Sequence, residues 1–308
     1  MDFRRIQHFV HVAELGSLSK AANRLHIVQP ALSQSIKRLE DDIGAILFVR
    51  SRRGMEPTEH GLVFLKYAYG ILNQYNRAKE SIATIGENPK GIVSVAMTAS
   101  ALHALTVPVC TRLKEEFPDI ELCIEEGMAA NIQQGFEAGQ YDLVVSHLVK
   151  PNDTIHIENL IQEDLFLVTS YQDRSEKTEI SFGELAKIPL ILPQGHHGVG
   201  GEIFALAENH GFKIISAKVR GALHPTLQLI EAGFGQSILP WSAISDRIAQ
   251  KKLRARRIVQ PNIYHTISMA HPSHRPLTQA SIAVMKIIRQ SIGKIHDQGK
   301  WSGKLLIA

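Results

Sequence analysis

The sequence predicts an α/β protein in which an all-helical first part precedes a longer part of alternating strands and helices. Up to residue 86, apolar residues recur at the three- and four-residue spacing of amphipathic helices. After residue 91, short apolar runs alternate with helical stretches, which is typical of parallel sheets with helices on both faces. The 308 residues are enough for two or three units of ordinary size.

Capping residues delimit the first two predicted helices. Apolar residues from Phe3 to Ala13 recur at helical spacing, and Gly16 supplies the glycine that ends many helices. Either Ser17 or Ser19 can cap the second helix, because a serine hydroxyl accepts a hydrogen bond from a first-turn N–H group. The small and apolar residues that this helix is expected to turn inward are Ala21, Ala22 and Leu25.

A third helix completes the pattern of a helix-turn-helix. Pro30 fits its first turn, where a backbone N–H would lack a partner anyway, and Gly44 fits its end. The residues predicted to be buried are Leu32, Ile36, Leu39 and Ile43. The hydrogen-bonding and cationic side chains on its opposite face are Gln29, Ser33, Gln34, Lys37 and Arg38. A helix of this kind fits the major groove of DNA.

A short strand and a cluster of arginines follow the third helix. The apolar residues 47–49 lead into Arg50, Arg52 and Arg53, and Gly54 provides a turn. This pattern predicts a β-hairpin wing whose arginines contact phosphates or the minor groove. Such a run of charges by itself is more often a solvated loop, and the neighbouring helix-turn-helix favours the DNA contact.

Residues 58–86 are predicted to form one long helix. Thr58 can cap its start and Gly86 can end it. The apolar residues close to a 3.5-residue seam are Leu65, Ala68, Leu72, Tyr75, Ile82 and Ile85. A helix of this length outside a core usually pairs with another helix, so we expect a dimerisation helix.

The rest of the chain is predicted to alternate between β-strands and α-helices. The predicted strands are 92–97, 120–124, 142–146, 165–170, 189–192, 214–219, 236–239 and 264–271. The predicted helices are 101–116, 129–138 and 277–295. From residue 296 onward the sequence has no clear period, and no structure is predicted there.

Charge and composition narrow the class of protein. The formal net charge of +4 lies within residues 1–90, where 13 cationic residues face 9 acidic ones, and this fits a polyanionic partner for that part alone. No apolar stretch approaches the roughly 20 residues of a membrane span, and no signal peptide is indicated. We therefore expect a cytoplasmic protein, in which Cys110 and Cys123 are buried thiols rather than a disulfide.

Three short motifs favour structural roles over chemistry. The glycine-rich residues 195–201 lack the GK[ST] of a phosphate loop, and Ile203 stands where GxGxxG needs its third glycine. Residues 17–20 match SxxK but lie within the helix-turn-helix. The histidines considered for a metal site, which lack helical metal-binding spacing, are His147, His196, His197 and His224. No metal, cofactor or catalytic residue is predicted.

Three segments resemble the N-terminus of the LysR-type transcriptional regulators. They are residues 9–25 (FVHVAELGSLSKAANRL), 29–39 (QPALSQSIKRL) and 47–61 (LFVRSRRGMEPTEHG). Elements at 116–119, 139–142 and 232–240 fall where the effector domain of that family has them, and the resemblance extends over about residues 1–295. Within the family, the chain is most similar to the nitrogen-assimilation and aromatic-degradation regulators.

The resemblance implies a domain plan. The winged helix-turn-helix would take residues 1–57, the linker and dimerisation helix 58–86, the hinge 87–91, the effector-binding domain 92–295, and the C-terminal tail 296–308. The effector-binding domain would resemble a periplasmic binding protein with two α/β lobes. Lobe one would take about 92–162 and 266–295, and lobe two about 163–265.

The resemblance also implies partners. The family forms homotetramers, built as dimers of dimers, on partly palindromic double-stranded DNA. A small-molecule effector would alter DNA bending and the contact with RNA polymerase. The positions that match the DNA contacts of the family are Gln29, Pro30, Ser33, Gln34, Lys37, Arg50 and Arg53.

The effector of the family sits at the N-terminus of the first helix of lobe one. Free N–H groups and the helix dipole there favour a carboxylate. The positions that match this pocket are Thr98, Ala99, Ser100, Ala101, Met128, His147, Pro193, Gln194, His196 and His197. Many relatives have a small hydroxyl residue at position 128, and methionine suggests a bulkier or more apolar part of the ligand.

Two other classes of protein remain as alternatives. A solute-binding protein would use the same two-lobed domain, but the basic N-terminal part and the lack of an export signal oppose it. An enzyme would need a general acid and base, and no such pair is evident at a matching spacing.

Overall fold

A computed structural model describes residues 2–51, 54–83, 88–147, 149, 151, 153–173, 175, 177–192, 199–217, 222–274 and 276–307. The chain divides into two compact units, residues 1–87 with 134–141 and residues 88–133 with 142–308. Within the described residues, no helix combines the length and apolarity needed to cross a membrane.

Three helices open the first unit: α1 (Phe3–Leu15), α2 (Leu18–Leu25) and α3 (Gln29–Ile43). Gly16 ends α1 with a φ of 59°, and Gly44 ends α3 with a φ of 77°, as the sequence predicts. The Ser17 hydroxyl, rather than Ser19, caps α2 by accepting the N–H of Lys20 at 3.4 Å.

One apolar core holds these helices together. Phe9, Leu32 and Leu39 are fully buried in it, each contributing about 1.5–3 kcal/mol of transfer free energy. The predicted burial of Ile43 is wrong, because this last residue of α3 lies 39% exposed. The inward positions of the helices are otherwise those expected from their periodicity.

A two-stranded hairpin follows α3, as the sequence predicts. Strand β1 (Phe48–Ser51) pairs antiparallel with β2 (Gly54–Pro57). A Cβ at Gly54 would collide with the carbonyl oxygen of Gly16, so only glycine permits this close approach. Residues 52 and 53, which include the predicted DNA contact Arg53, lie outside the described residues.

The long helix α4 (Glu59–Ala83) begins where the sequence predicts, with the Thr58 hydroxyl accepting the N–H of Gly61 at 3.0 Å. Its predicted end near Gly86, and Ile85 of the seam, lie outside the described residues. The predicted seam is wrong in its first half, since Leu65, Ala68 and Leu72 pack into the core of the first unit. Apolar periodicity identifies a face but does not say what covers it.

The elements that follow begin with β3 (Gly91–Met97), α5 (Ala99–Glu116), β4 (Ile120–Glu126), α6 (Ala129–Glu137), β5 (Leu143–Ser146), β6 (Ile155–Ser170) and β7 (Glu179–Ser181). A 3-10 helix (Phe182–Lys187) precedes α7 (Val199–Asn209), α8 (Leu223–Glu231) and β8 (Ser237–Pro240). After the 3-10 helix Trp241–Ala243 come α9 (Ser245–Ala249), β9 (Leu253–Val259), β10 (Tyr264–Pro272), α10 (Gln279–Asp297) and β11 (Lys304–Leu305).

These strands form a mixed sheet in the order β4-β3-β5-β10-β6-β9-β7, with β8 and β11 also paired to β6. Strand β3 is parallel to β4 and β5, and β7 is parallel to β9. The prediction of parallel sheets alone is wrong, because β10 is antiparallel to β5 and β6, and β6 is antiparallel to β8 and β9. The long strands β6 and β10 run side by side in opposite directions.

Several elements of the second unit differ from the sequence-based expectation. Strand β9 was hidden because arginines interrupt its apolar residues, and α8 and α9 have no predicted counterpart. The predicted strands at 189–192 and 214–219 amount to isolated bridges from Leu190 to Ser216 and Gln236 among the described residues, and 218–219 lie outside them.

The C-terminal tail is structured, although no structure was predicted for it. Trp301 is fully buried in the core beneath α5 and α10, and β11 pairs with β6. The predicted burial of the two thiols is wrong, since Cys110 and Cys123 are both exposed free cysteines.

Candidate DNA-binding surface and ligand site

The polar face of α3 is exposed, as the sequence predicts. Gln29, Pro30, Gln34 and Lys37 are exposed, and Ser33 is half-buried. The same helix buries Leu32, Ile36 and Leu39 on its opposite side. Burial on one side fixes which side chains this helix presents to a partner.

Two contacts between side chains brace α1 against α3. The guanidinium of Arg5 lies 2.6 Å from the carboxylate of Asp42, and the ring Nδ1 of His8 lies 2.7 Å from the hydroxyl of Ser35. Burial lowers the pKa of His8, and the charge of Asp2 partly opposes that shift. These polar groups fix the helices relative to one another and leave the polar face of α3 unengaged.

The hairpin carries the other candidate contact. Arg50 is exposed on β1, opposite Met55. Glu40 of α3 accepts the backbone N–H groups of Leu47 at 2.8 Å and Phe48 at 3.2 Å. These hydrogen bonds anchor the start of the hairpin to α3. The position of the wing is therefore set by α3 itself.

Sequence analysis missed one exposed residue beside this surface. Val28 is 70% exposed and immediately precedes α3. An apolar side chain at this place can contact the methyl group of thymine. The signal available in the sequence was an apolar residue in a turn, outside the periodic apolar pattern of the neighbouring helices.

The predicted ligand site begins at the N-terminus of α5. Thr98 precedes the helix, is 5% exposed, and its hydroxyl has no hydrogen-bond partner in the described part of the chain. The next residues, Ala99, Ser100 and Ala101, carry the first-turn N–H groups that an α-helix leaves without internal partners. Free donors, a positive helix end and an unsatisfied hydroxyl together favour an anion.

His147 lies next to this helix start. The N–H of Thr98 donates to the carbonyl of Val145 at 3.2 Å, and His147 follows two residues later, just after β5. Both ring nitrogens of His147 are buried, and no described residue forms a hydrogen bond with either of them. Burial, followed by the charge of His265, lowers the pKa of His147 to about 3, so its ring is neutral at physiological pH.

A buried polar cluster that sequence analysis missed lies behind His147. The ring of His265 stacks on that of His147 with 4.9 Å between centroids, and its Nε2 lies 2.6 Å from a carboxylate oxygen of Glu163. Glu163 is fully buried and also accepts the indole N–H of Trp301 at 2.8 Å and the hydroxyl of Ser242 at 3.1 Å. No local pattern in the sequence could have indicated this cluster, because its members come from distant segments.

A second acidic group faces the same cluster. Burial raises the pKa of Glu202, in the first turn of α7, while His265 acts in the opposite direction. Glu202 therefore lies close enough to His265 for their charges to interact. It adds to the acidic character of this end of the site.

Of the remaining predicted ligand contacts, the structure describes only Met128. Met128 is 64% exposed, just before α6, which fits contact with an apolar part of a ligand. The predicted contacts Pro193, Gln194, His196 and His197 lie outside the described residues. Among the residues that the structure describes, no three His, Cys, Asp or Glu side chains form a group that could hold a metal ion.

The two units define a class of protein: a helix-turn-helix with a wing, joined to an α/β domain with a candidate site for a small anion. Comparison with protein families agrees with both parts. Residues 3–62 match the bacterial regulatory helix-turn-helix of the lysR family, and residues 86–293 match the LysR substrate binding domain. The chain belongs to the LysR family of transcriptional regulators.

Similar proteins of known name support this assignment along the whole chain. The nitrogen assimilation regulatory protein nac of Escherichia coli (strain K12) is 28% identical over 306 residues, covering 98% of this chain and 99% of that protein. The transcriptional regulator BsdA of Bacillus subtilis (strain 168) is 30% identical, covering 79% of this chain and 85% of that protein. These relatives are regulators, and this chain is a DNA-binding transcriptional regulator rather than an enzyme.

Solved structures show the same architecture. The crystal structure of CbnR, a LysR family transcriptional regulator, matches with a TM-score of 0.71, and that of full-length CbnR complexed with its target DNA matches with a TM-score of 0.70. The first is 23% identical and covers 95% of this chain and 99% of that chain; the second is 25% identical and covers 94% and 100%. The N-terminal helix-turn-helix and the two-lobed α/β effector-binding domain are therefore confirmed.

Proposed function

We propose that this regulator recognises a partly palindromic DNA site by placing α3 in the major groove. The observation that carries the proposal is the exposed polar face of α3, opposite the buried Leu32, Ile36 and Leu39. Gln34 has the amide geometry to bond an adenine edge with two hydrogen bonds. The other residues proposed to contact bases or backbone from this helix are Gln29, Pro30, Ser33 and Lys37.

The wing adds affinity that does not depend on sequence. We propose that Arg50 and Arg53 contact phosphates or the minor groove, since cations that replace condensed counterions bind DNA in a salt-dependent manner. Such contacts orient the protein on the duplex, and the contacts of α3 select the bases.

A palindromic site requires two copies of the chain. We propose that α4 forms the dimer interface and that dimers pair into a homotetramer, which acts in the cytoplasm and contacts RNA polymerase. The support is a row of exposed apolar side chains on α4: Val63, Tyr67, Ile71, Tyr75 and Ile82. Their spacings of four or seven residues keep them on one face of a helix. Tyr75 and Ile82 belong to the seam predicted from sequence.

The effector is proposed to carry a carboxylate that binds at the N-terminus of α5. The support is the coincidence of the free first-turn N–H groups with the buried, unsatisfied hydroxyl of Thr98. Occupation of this site would alter operator binding and DNA bending. The predicted domain and lobe boundaries belong to this same proposal.

Salt dependence tests the DNA contacts. The affinity of the full-length protein for a duplex of random sequence, measured by fluorescence anisotropy between 50 and 300 mM salt, should fall steeply. Lys37→Ala and Arg50→Ala should each reduce the slope of log affinity against log salt by about 1. Lys114→Ala, which removes an exposed cation from α5 in the other unit, is the matched control and should leave it unchanged. Equal slopes in all three variants would refute the proposed surface.

A further inference from the structure

A second polar patch lies beside the proposed carboxylate position. Both ring nitrogens of His147, and Nδ1 of His265, are buried and have no hydrogen-bond partner among the residues that the structure describes. The hydroxyl of Thr98 is unsatisfied as well. Buried polar groups without partners are rare because each one lost its hydrogen bonds to water on folding, and such groups mark a place where a ligand or water completes the network.

The orientation of His265 is fixed from behind. Its Nε2 lies 2.6 Å from Glu163 and donates to that carboxylate when Glu163 is ionised, and Glu163 is held in turn by Trp301 and Ser242. When His265 is neutral, its Nδ1 is therefore an acceptor. The stacked ring of His147 has no such constraint and offers one donor and one acceptor.

The titratable groups around His147 are one histidine and two carboxylic acids. Its ring faces His265 from β10, Glu163 lies behind His265 on β6, and Glu202 approaches His265 from α7. Since the pKa of His147 lies at about 3, a bound anion would have to favour the imidazolium roughly 10⁴-fold to protonate it at pH 7. A single carboxylate does not reach that factor, so His147 binds as a neutral ring.

We infer that the effector is a small monocarboxylate with a hydroxyl group: its carboxylate binds at the N-terminus of α5 and its hydroxyl binds His147. This inference rests on the carboxylate site proposed above. A hydroxyl both donates and accepts, and so it matches a neutral imidazole. A second carboxylate only accepts hydrogen bonds, so it would use the donor of the His147 ring and leave the acceptor of that ring unmatched.

Six simple acids test this assignment by isothermal titration of the full-length protein. Propanoate, lactate and malonate form one series of equal carbon number, and butanoate, 3-hydroxybutanoate and succinate form another. In at least one series, the hydroxy acid should bind about tenfold tighter than the plain acid, the value of one hydrogen bond. The dicarboxylate should bind no tighter than the plain acid.

One variant connects that preference with His147. His147→Phe keeps an aromatic ring for stacking on His265 but removes both nitrogens, so it should abolish the hydroxyl preference, and the hydroxy acid should then bind no tighter than the plain acid. His156→Phe changes one ring of another histidine pair, 4.8 Å from His271 between β6 and β10, and should keep the preference.

Each contrary result has a distinct meaning. A tighter-binding dicarboxylate, or a hydroxyl preference that survives His147→Phe, would overturn this inference and leave the carboxylate site intact. If none of the six acids binds at 50 mM, the carboxylate site itself is wrong and the inference falls with it.

Discussion

The DNA-binding unit and the ligand-binding unit position their functional side chains through different kinds of contact. The proposed base contacts of α3 lie within nine residues of one helix, from Gln29 to Lys37. Glu163, at the centre of the ligand cluster, meets partners 79, 102 and 138 residues away in the chain. Function in the first unit depends on one helix having the correct face outward, whereas function in the second depends on segments that only the complete fold brings together.

The largest effect on stability is expected from mutations of Trp301, where the C-terminal tail packs into the ligand-binding unit. Trp301→Ala should destabilise that unit by about 3–5 kcal/mol, because it empties a fully buried site and removes a donor to Glu163. Trp301→Phe keeps most of the volume and should cost about 1–3 kcal/mol for the lost hydrogen bond to the buried carboxylate. Urea unfolding followed by circular dichroism measures both.

Trp241→Phe is the matched control for this prediction. The indole of Trp241 also forms a hydrogen bond with the tail, but it donates to the carbonyl of Gly299 at 3.2 Å rather than to Glu163. Its loss should cost about 1 kcal/mol or less. If Trp301→Phe is no more destabilising than Trp241→Phe, the tail does not support the ligand cluster.

A smaller effect is expected at the exposed face of α4. Tyr67→Asp or Ile71→Asp would place a charge in the proposed dimer interface and should weaken dimerisation by about 2 kcal/mol or more, close to 30-fold in the dissociation constant. Asn76→Asp adds the same charge to an exposed position of the same helix and should have little effect. Analytical ultracentrifugation over a range of concentrations distinguishes these outcomes, and equal constants for all variants would place the interface elsewhere.

The smallest expected effect is on the pH dependence of stability, and it comes from the neutral ring of His147. Its folded-state pKa of about 3 lies below its ordinary value, so below about pH 6.5 the unfolded chain takes up a proton that the folded protein does not. Stability is therefore lost as the pH falls, by about 1.4 kcal/mol between pH 7.5 and 5.5 from this group alone. His147→Phe should remove that share of the pH dependence. If the unfolding free energies of the wild type and the variant change equally with pH, His147 is accessible to protons in the folded protein.

Most of the first unit could be predicted from the sequence. Gly16, Ser17, Pro30 and Gly44 delimit the helices of the first unit by local chemistry, so their ends and their exposed face were predictable. The seam of α4 was only partly predictable, because the face containing Ala68 is covered by the core of the unit itself. Local patterns define surfaces, and only tertiary structure decides which surface stays exposed.

In the ligand-binding unit, the start of α5 and His147 were found by resemblance. Glu163, His265 and Trp301 were not, since a buried glutamate within a strand and a tryptophan in an aperiodic tail carry no local signal. Strand β9 was missed for a related reason: its arginines conceal a strand whose pairing with β6 and β7 supplies its stability.

The central claim, that α3 selects the DNA sequence, is tested most directly by a genome-fragment binding selection with full-length wild-type and Gln34→Ala protein. The wild type should recover a dyad-symmetric site, and Gln34→Ala should retain affinity while losing preference at one base pair in each half-site, a discrimination of about 1–3 kcal/mol. An unchanged recovered site with Gln34→Ala would contradict the claim, and so would wild-type binding that is blind to sequence.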